Sequence, residues 1–226
     1  MQNLKNNLTL IIPAKNEKDS LPIVLDEIKK FNFKVNIIVN KNDLDTIWAS
    51  KKFNHKILYQ PGKGYGDALI HGIKNCKTEY FCIFNADGSF NPNEIEPMFN
   101  CLIKNKLDVI FGSRYQENSG SEDDTIVTLI GNYFFTLVGK IFFSLNLNDI
   151  LYTFVIGNTK HVNNLELNQK DFSFCVELPI KAKKRKLNIQ SFPCYERTRI
   201  AGIKKVNAFK DGTLILIHMI KLFFSK

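Results

Sequence analysis

The chain has no C-x-x-C pair, no two histidines at metal-binding spacing, no G-K-[ST] triplet and a single tryptophan. Its five cysteines (Cys76, Cys82, Cys101, Cys175, Cys194) are odd in number and unpaired in pattern. That argues against a disulfide framework and a zinc site, and suits a reducing cytosol. His55, His71, His161 and His218 stand too far apart for a helical ligand pair, so metal binding by histidine is not expected. Trp48 reads as a packing residue. Internal repeats and low-complexity linkers are also missing, so 226 residues with 44% hydrophobic content read as one domain over residues 1–226. No uninterrupted apolar run is long enough to span a bilayer. Residues 126–143 come nearest, but Asn132 and Lys140 break them, and the segment reads as buried or interfacial. Residues 1–7 are polar and precede a short apolar run, too short for a signal-peptide core, so secretion is not expected.

Acidic residues are scarce in one place. Between residues 181 and 226 twelve Lys or Arg face only Glu196 and Asp211, so this segment holds more than the whole formal charge of +9. A positive field so placed suits an anionic membrane or a phosphorylated substrate. Nucleic acid is not expected, because the aromatic residues do not alternate with the basic ones as a stacking platform would. From Leu214 to Phe224 apolar positions almost surround a helix, with Lys221 and Lys226 placed to snorkel. Residues 195–226 therefore read as a basic loop followed by an amphipathic, membrane-associated C-terminal helix. Tyr133, Phe134, Phe135, Phe142 and Phe143 recur at helical spacing, as a core or an interface requires.

Hydrophobic period places the remaining elements. Residues 8–12 form a β-rich run that Pro13 is expected to stop, and residues 19–22 open a helix with apolar positions 21, 24, 25 and 28. Residues 35–39, 56–59, 80–84 and 107–111 repeat the strand signal, and 64–74 the helical one. Alternating strands and helices predict an α/β fold with a mostly parallel sheet flanked by helices. Its ligands are expected at the carboxyl ends of the strands, in loops 13–17, 40–43, 61–66 and 85–89.

Asn85-Ala86-Asp87-Gly88 directly follows the most apolar strand. A carboxylate presented there suits Mg²⁺ or Mn²⁺, which take one or two protein carboxylates plus substrate phosphates. An ordinary strand-to-turn Asn/Asp/Gly cluster has the same composition. Pro61-Gly62-Lys63-Gly64-Tyr65-Gly66-Asp67 sets three glycines and a lysine before a helix, as a phosphate cradle or as a flexible turn.

These segments occur in one order with two more: Ile12-Pro13-Ala14-Lys15-Asn16-Glu17, Gly62-Lys63-Gly64, Asn85-Ala86-Asp87-Gly88, then Gly112-Ser113-Arg114. Together they resemble family-two GT-A glycosyltransferases. The likeness is greatest to the dolichol-phosphate mannose synthase and polyprenyl-phosphate glucosyltransferase branch, whose R-x-x-G-x-S-K pattern resembles residues 199–205. The resemblance implies a Rossmann-like GT-A fold and a nucleotide-sugar pocket lined by Pro13, Ala14, Asn16, Glu17, Asn85, Ala86 and Asp87. Asn40 stands where an acid is usual, and Lys63 near the base or diphosphate. It further implies Asp87 as the main metal ligand, with Asn85 replacing the first carboxylate of the usual D-x-D. Arg114, Arg197, Arg199 and Lys204 would face the acceptor phosphate, and Arg199 and Lys205 would stabilise the transferred charge.

The resemblance therefore implies an inverting transferase that uses Mg²⁺ or Mn²⁺ to move a sugar from a UDP- or GDP-sugar to a polyprenyl phosphate. It would sit peripherally on the cytoplasmic face of the membrane and contribute to cell-surface glycan synthesis. Departures are Asn40, Asn85, Lys204 in place of Ser, and Asp124 and Thr128 where an Arg and a Ser usually precede Asn132. They admit two alternatives: a hydroxyl acceptor on a glycan or glycolipid, and a non-catalytic nucleotide-binding protein at the membrane surface. A hydroxyl must lose its proton, and Asp149 or Glu177 would be the base unless each is structural.

Overall fold

The computed structural model describes residues 6–202 and 206–225. The chain builds β1 (Leu8–Ala14), α1 (Leu21–Lys29), β2 (Lys34–Val39), α2 (Leu44–Ser50), β3 (Lys56–Tyr59), α3 (Tyr65–Lys74), β4 (Tyr80–Ile83), α4 (Ile95–Lys104) and β5 (Val109–Ser113). It continues through β6 (Gly120–Ser121), α5 (Ile126–Phe143), β7 (Val155–Asn158), α6 (Thr159–Asn163), α7 (Phe174–Lys184), β8 (Ile189–Pro193), β9 (Tyr195–Glu196) and α8 (Ala208–Phe224). Seven strands form one sheet in the order β3-β2-β1-β4-β7-β5-β8. Every neighbouring pair is parallel except those of β7, which lies antiparallel between β4 and β5. The short strands β6 and β9 pair in parallel beside it.

The two-residue alternation of a strand sends Leu10 and Ile12 to one face and Ile11 to the other. On the first face they meet Leu21, Leu25 and Ile28 of α1 and Ile95, Met98 and Leu102 of α4. On the second, Ile11 and Ile38 meet Leu69 and Ile73 of α3 and, through Phe81 and Ile83, Phe174 and Leu178 of α7. A third cluster joins Phe135 of α5, Val176 and Ile180 of α7, and Ile215, Met219 and Leu222 of α8.

Pro13 does not stop β1, which pairs with β2 through Ala14. Ile11 directs its carbonyl to the amide of Phe84, so the missing N–H of Pro13 falls on the same side, where β4 has already ended at Ile83. No ladder bond is lost there, and proline is tolerated.

Helix α5 opens on a capping box between Thr125 and Thr128. It buries Asn132, Phe135, Thr136 and Gly139, and leaves Ile126, Ile130, Tyr133, Ile141 and Phe142 exposed. Of the two expectations for this segment, buried or interfacial, the buried one does not hold: much of its apolar surface faces outward. It is the one helix among the described residues long and apolar enough, by length and composition, to cross a membrane. Helix α8 likewise buries Ile215, His218, Met219 and Leu222 but exposes Phe209, Ile220, Phe223 and Phe224. Trp48 is also corrected: Thr46, Ile47 and Ser50 take the buried side of α2, and the indole stands 78% exposed.

Candidate active site

A cavity of about 370 Å³ opens at the carboxyl edge of the sheet. Its floor comes from Pro13 and Ala14 at the end of β1 and from Asn85, Ala86 and Asp87 after β4. Its far wall comes from Asp123, Asp124, Thr128 and Asn132 around the start of α5, with Glu196 and Arg199 closing a third side.

Asp87 is held in one orientation. Its Oδ1 accepts from the backbone N–H and the hydroxyl of Ser89, at 3.0 and 2.8 Å. Its Oδ2 is 3.7 Å from Nη1 of Arg199. Gly88 has φ 84°, and a Cβ there would lie 2.3 Å from Cδ1 of Ile200. Glycine is thus required both by the backbone and by the segment laid across it, where Ile200 N–H donates to the Asp87 carbonyl at 2.8 Å. Asn85 accepts from the Tyr65 hydroxyl at 3.4 Å through Oδ1 and donates to Ser89 Oγ at 3.3 Å through Nδ2. Tyr65 also pairs with Thr153 Oγ1 at 2.7 Å. Burial raises its pKa and keeps it a neutral phenol.

Arg114 fixes the opposite corner. Nε and Nη2 donate to Asp149 Oδ2 and Oδ1 at 2.7 and 3.0 Å, and Nη1 donates to Glu196 Oε2 at 3.0 Å. The guanidinium stacks over Tyr152 at 4.6 Å. Burial opposes its charge, but Asp149 and Glu196 outweigh that and hold its pKa well above the ordinary arginine value. Asp149 is fully buried, and also accepts from the Arg114 N–H at 3.1 Å and from Asn132 Nδ2.

Of the residues expected at the site, Pro13, Ala14, Glu17, Asn85, Ala86, Asp87, Arg114 and Arg199 line the cavity. Five are placed elsewhere. Asn16, at φ 53°, is exposed and donates its N–H to Asp43 Oδ2 at 2.7 Å. Asn40 turns its side chain to the N–H of Asn42 at 2.9 Å, and Lys63 is exposed on its turn; neither lines the cavity. Arg197 spans Glu27 with bonds of 2.7 and 3.0 Å and donates to the Phe90 carbonyl at 2.7 Å, so it does not face an acceptor phosphate. Asp149 lies behind Arg114 with its oxygens committed, so it does not stand as a base.

Glu177 takes the structural of its two expected roles. It is fully buried in α7, accepts from the N–H groups of Asn168 and Gln169 at 3.0 and 2.9 Å, and pairs with Lys181 at 2.8 Å. That clamp presses the 168–171 loop onto the glycine turn. A Cβ on Gly64 would lie 2.1 Å from the Lys170 carbonyl oxygen, and one on Gly66 2.1 Å from that of Gln169. Two of the three glycines thus serve close backbone approach. Lys204 and Lys205 lie outside the described residues.

Tyr65, Ser89, Asp123 and Glu196 are site residues that the sequence reading missed. Ser89 had a signal, as the residue two after an Asp that turns back on its own backbone. For Asp123 and Glu196 none existed, because their partners are 76 and 82 residues away.

The charges fit a divalent metal. The described lining holds five carboxylates (Glu17, Asp87, Asp123, Asp124, Glu196) against Lys15, Arg114 and Arg199. Asp87 already directs its outer oxygen at a cation. Asp87 and the Asn85 amide are the groups that would hold a metal, which would neutralise a leaving diphosphate. Among the described residues no three His, Cys, Asp or Glu side chains form a closed cage.

A mostly parallel sheet with an Asp-bearing loop at the carboxyl edge of a central strand is the GT-A architecture of nucleotide-sugar transferases. The model of glycosyl transferase family 2 matches residues 9–166, and the chain belongs to that family. It is a metal-dependent glycosyltransferase by that membership. It is 25% identical over 240 residues to a UDP-N-acetylglucosamine–dolichyl-phosphate N-acetylglucosaminyltransferase of Methanococcus voltae, covering 95% of this chain and 92% of that protein. It is 26% identical over 192 residues to a dolichol-phosphate mannosyltransferase of Pyrococcus furiosus, covering 80% of this chain but only 54% of that protein. In fold it matches glucosyl-3-phosphoglycerate synthase from Mycobacterium tuberculosis, solved with Mn²⁺, UDP and glucosyl-3-phosphoglycerate. The TM-score is 0.77 at 11% identity, over 96% of this chain and 80% of that one.

Proposed function

We propose that the protein transfers a sugar from a UDP- or GDP-sugar to a polyprenyl phosphate at the cytoplasmic face of a membrane. The observation that carries this reading is the continuity between cavity and apolar surface along α5. Thr128 and Asn132 line the cavity, while Ile130, Tyr133, Ile141 and Phe142 of the same helix are exposed. A lipid whose tail lies along that face brings its phosphate to the cavity mouth. The two relatives named for dolichyl-phosphate acceptors support it. So does the basic C-terminal segment, attracted to anionic lipid at about 1 kcal/mol per residue.

The chemistry is a single displacement with inversion. An acceptor phosphate oxygen bonds to the anomeric carbon, the bond from that carbon to the diphosphate breaks, and the nucleoside diphosphate leaves with the electron pair. Asp87 holds the metal that supplies charge neutralisation to the leaving group. Arg199 meets phosphate oxygens with its two-pronged guanidinium, and Arg114, held by Asp149 and Glu196, shapes the acceptor corner. A phosphate acceptor is already ionised near pH 7, so the protein need supply no base.

One observation favours a second reading. Asp124, unlike Asp149, lines the cavity, so a hydroxyl acceptor would meet its carboxylate there, held in place by the Tyr115 and Thr128 hydroxyls. Purified protein with radiolabelled nucleotide-sugars and short polyprenyl phosphates should yield an organic-extractable product. Product formed only on sugar or glycolipid hydroxyls, and lost in Asp124→Asn, would replace the first reading with the second.

A further inference from the structure

We propose that Asp123 is the second carboxylate of the cation site at Asp87, and that Arg199 is the resident cation which a divalent metal displaces. The inference rests on the transferase reading above and concerns how its metal site is completed.

Asn85 sets a neutral amide oxygen beside Asp87 where a carboxylate would add a negative charge, and that amide also bonds Tyr65 and Ser89. The missing charge reappears on the other wall. Asp123 stands on the loop before α5, its own N–H donating to Ser121 Oγ at 3.2 Å. Arg199 spans the gap: Nη2 and Nε lie 2.8 and 3.3 Å from Asp123, and Nη1 lies 3.7 Å from Asp87. One guanidinium therefore touches two carboxylates that are 36 residues apart in sequence, one on the loop after β4 and the other on the loop before α5.

Both carboxylates are largely shielded, with side-chain exposures of 15% for Asp87 and 14% for Asp123, which strengthens their attraction for any cation between them. Glu17 adds a third negative potential at Arg199. A single positive charge shared among these acids leaves the centre anionic, whereas a divalent ion matches it. The ion and the guanidinium therefore compete for the same oxygens. Arg199, once released from Asp123, is free to turn its fork to diphosphate oxygens, so the group that bridges the two carboxylates becomes a donor to the substrate.

The test is a Mn²⁺ titration of the nucleotide-free protein, read by electron paramagnetic resonance, with thermal melts to verify folding. Arg199→Gln should bind Mn²⁺ more tightly than wild type. Asp123→Asn should weaken binding by roughly ten- to a hundredfold, the usual cost of losing a group that supports a metal. It should do so in the Arg199→Gln background as well, and Asn85→Asp should restore the loss. If Asp123→Asn has no effect once Arg199 is gone, Asp123 acts only through the arginine and the proposal is overturned. Weaker Mn²⁺ binding by Arg199→Gln overturns it equally. Wild type that binds no Mn²⁺, alone or with UDP or GDP, sinks the metal-dependent reading together with this proposal, whereas a normal wild type with a silent Asp123→Asn sinks this proposal alone.

Discussion

Arg114 lies across Asp149 in a two-bond fork, Nε to Oδ2 at 2.7 Å and Nη2 to Oδ1 at 3.0 Å, and this pair separates one corner of the cavity from the core behind it. Asp149 is fully buried and Arg114 nearly so. Arg114→Met leaves a buried carboxylate unpaired, and should cost about 3–5 kcal/mol of stability, measurable by urea melts. Arg114→Met with Asp149→Leu should cost less than the single change, because no lone charge remains. A double variant less stable than Arg114→Met would contradict this account.

Asp87→Ala removes the one carboxylate that faces the cavity from the β4 loop. Transfer should fall by about a thousandfold or more, since a metal contributes several kcal/mol to the transition state and each 1.4 kcal/mol is tenfold in rate. The melting temperature should change little, because Asp87 bonds Ser89 within its own loop. Steady-state transfer assays beside circular-dichroism melts check both halves.

Gly66→Ala should destabilise the fold by about 2–4 kcal/mol, in the range of overpacking and backbone clashes. Its Cβ would meet the Gln169 carbonyl oxygen at 2.1 Å and the Asp171 carbonyl oxygen at 2.8 Å. Gly131→Ala, on α5 with nothing within 4 Å, is the control and should leave stability unchanged or raise it.

His218 gives a stability that depends on pH. Burial lowers its pKa below the ordinary 6.5, and its buried Nε2 finds no hydrogen-bond partner among the described residues. The unfolded chain therefore binds the proton first as pH falls through 6.5, and the folded state loses stability from there down to the lowered folded value. His218→Gln removes that term. In denaturant melts the variant should gain on wild type as pH drops below 6.5, and a constant difference from pH 8 to 5 would refute it.

Tyr133 and Phe142 project from α5 with 71% and 56% of their surface open. Tyr133→Glu with Phe142→Glu should sharply reduce co-sedimentation with anionic vesicles while leaving the melting temperature within a few degrees, since neither ring is buried. Undiminished vesicle binding would count against a lipid-facing role for this helix.

The sequence by itself determined the alternation of strands and helices, the parallel character of the sheet and the position of Asp87 at the end of β4. Each follows from local information: a two-residue or 3.6-residue period, a run apolar on both faces, and a glycine beside a carboxylate. It could not place β7, a four-residue strand that enters antiparallel between β4 and β5, because its partners lie more than 40 residues before it and too few residues carry the pattern. Nor could it tell which charges were spent. Arg197 and Arg199 are two residues apart in one basic loop, yet Arg197 is committed to Glu27, 170 residues away, while Arg199 enters the cavity beside Asp123 and Asp87. Asp149 and Glu177, each open by residue type to a structural role or to that of a base, are buried under Arg114 and Lys181. Only the tertiary structure decides this, because a charged side chain's role is set by which opposite charge the folded chain brings within about 4 Å, and that pairing leaves no local trace in the sequence.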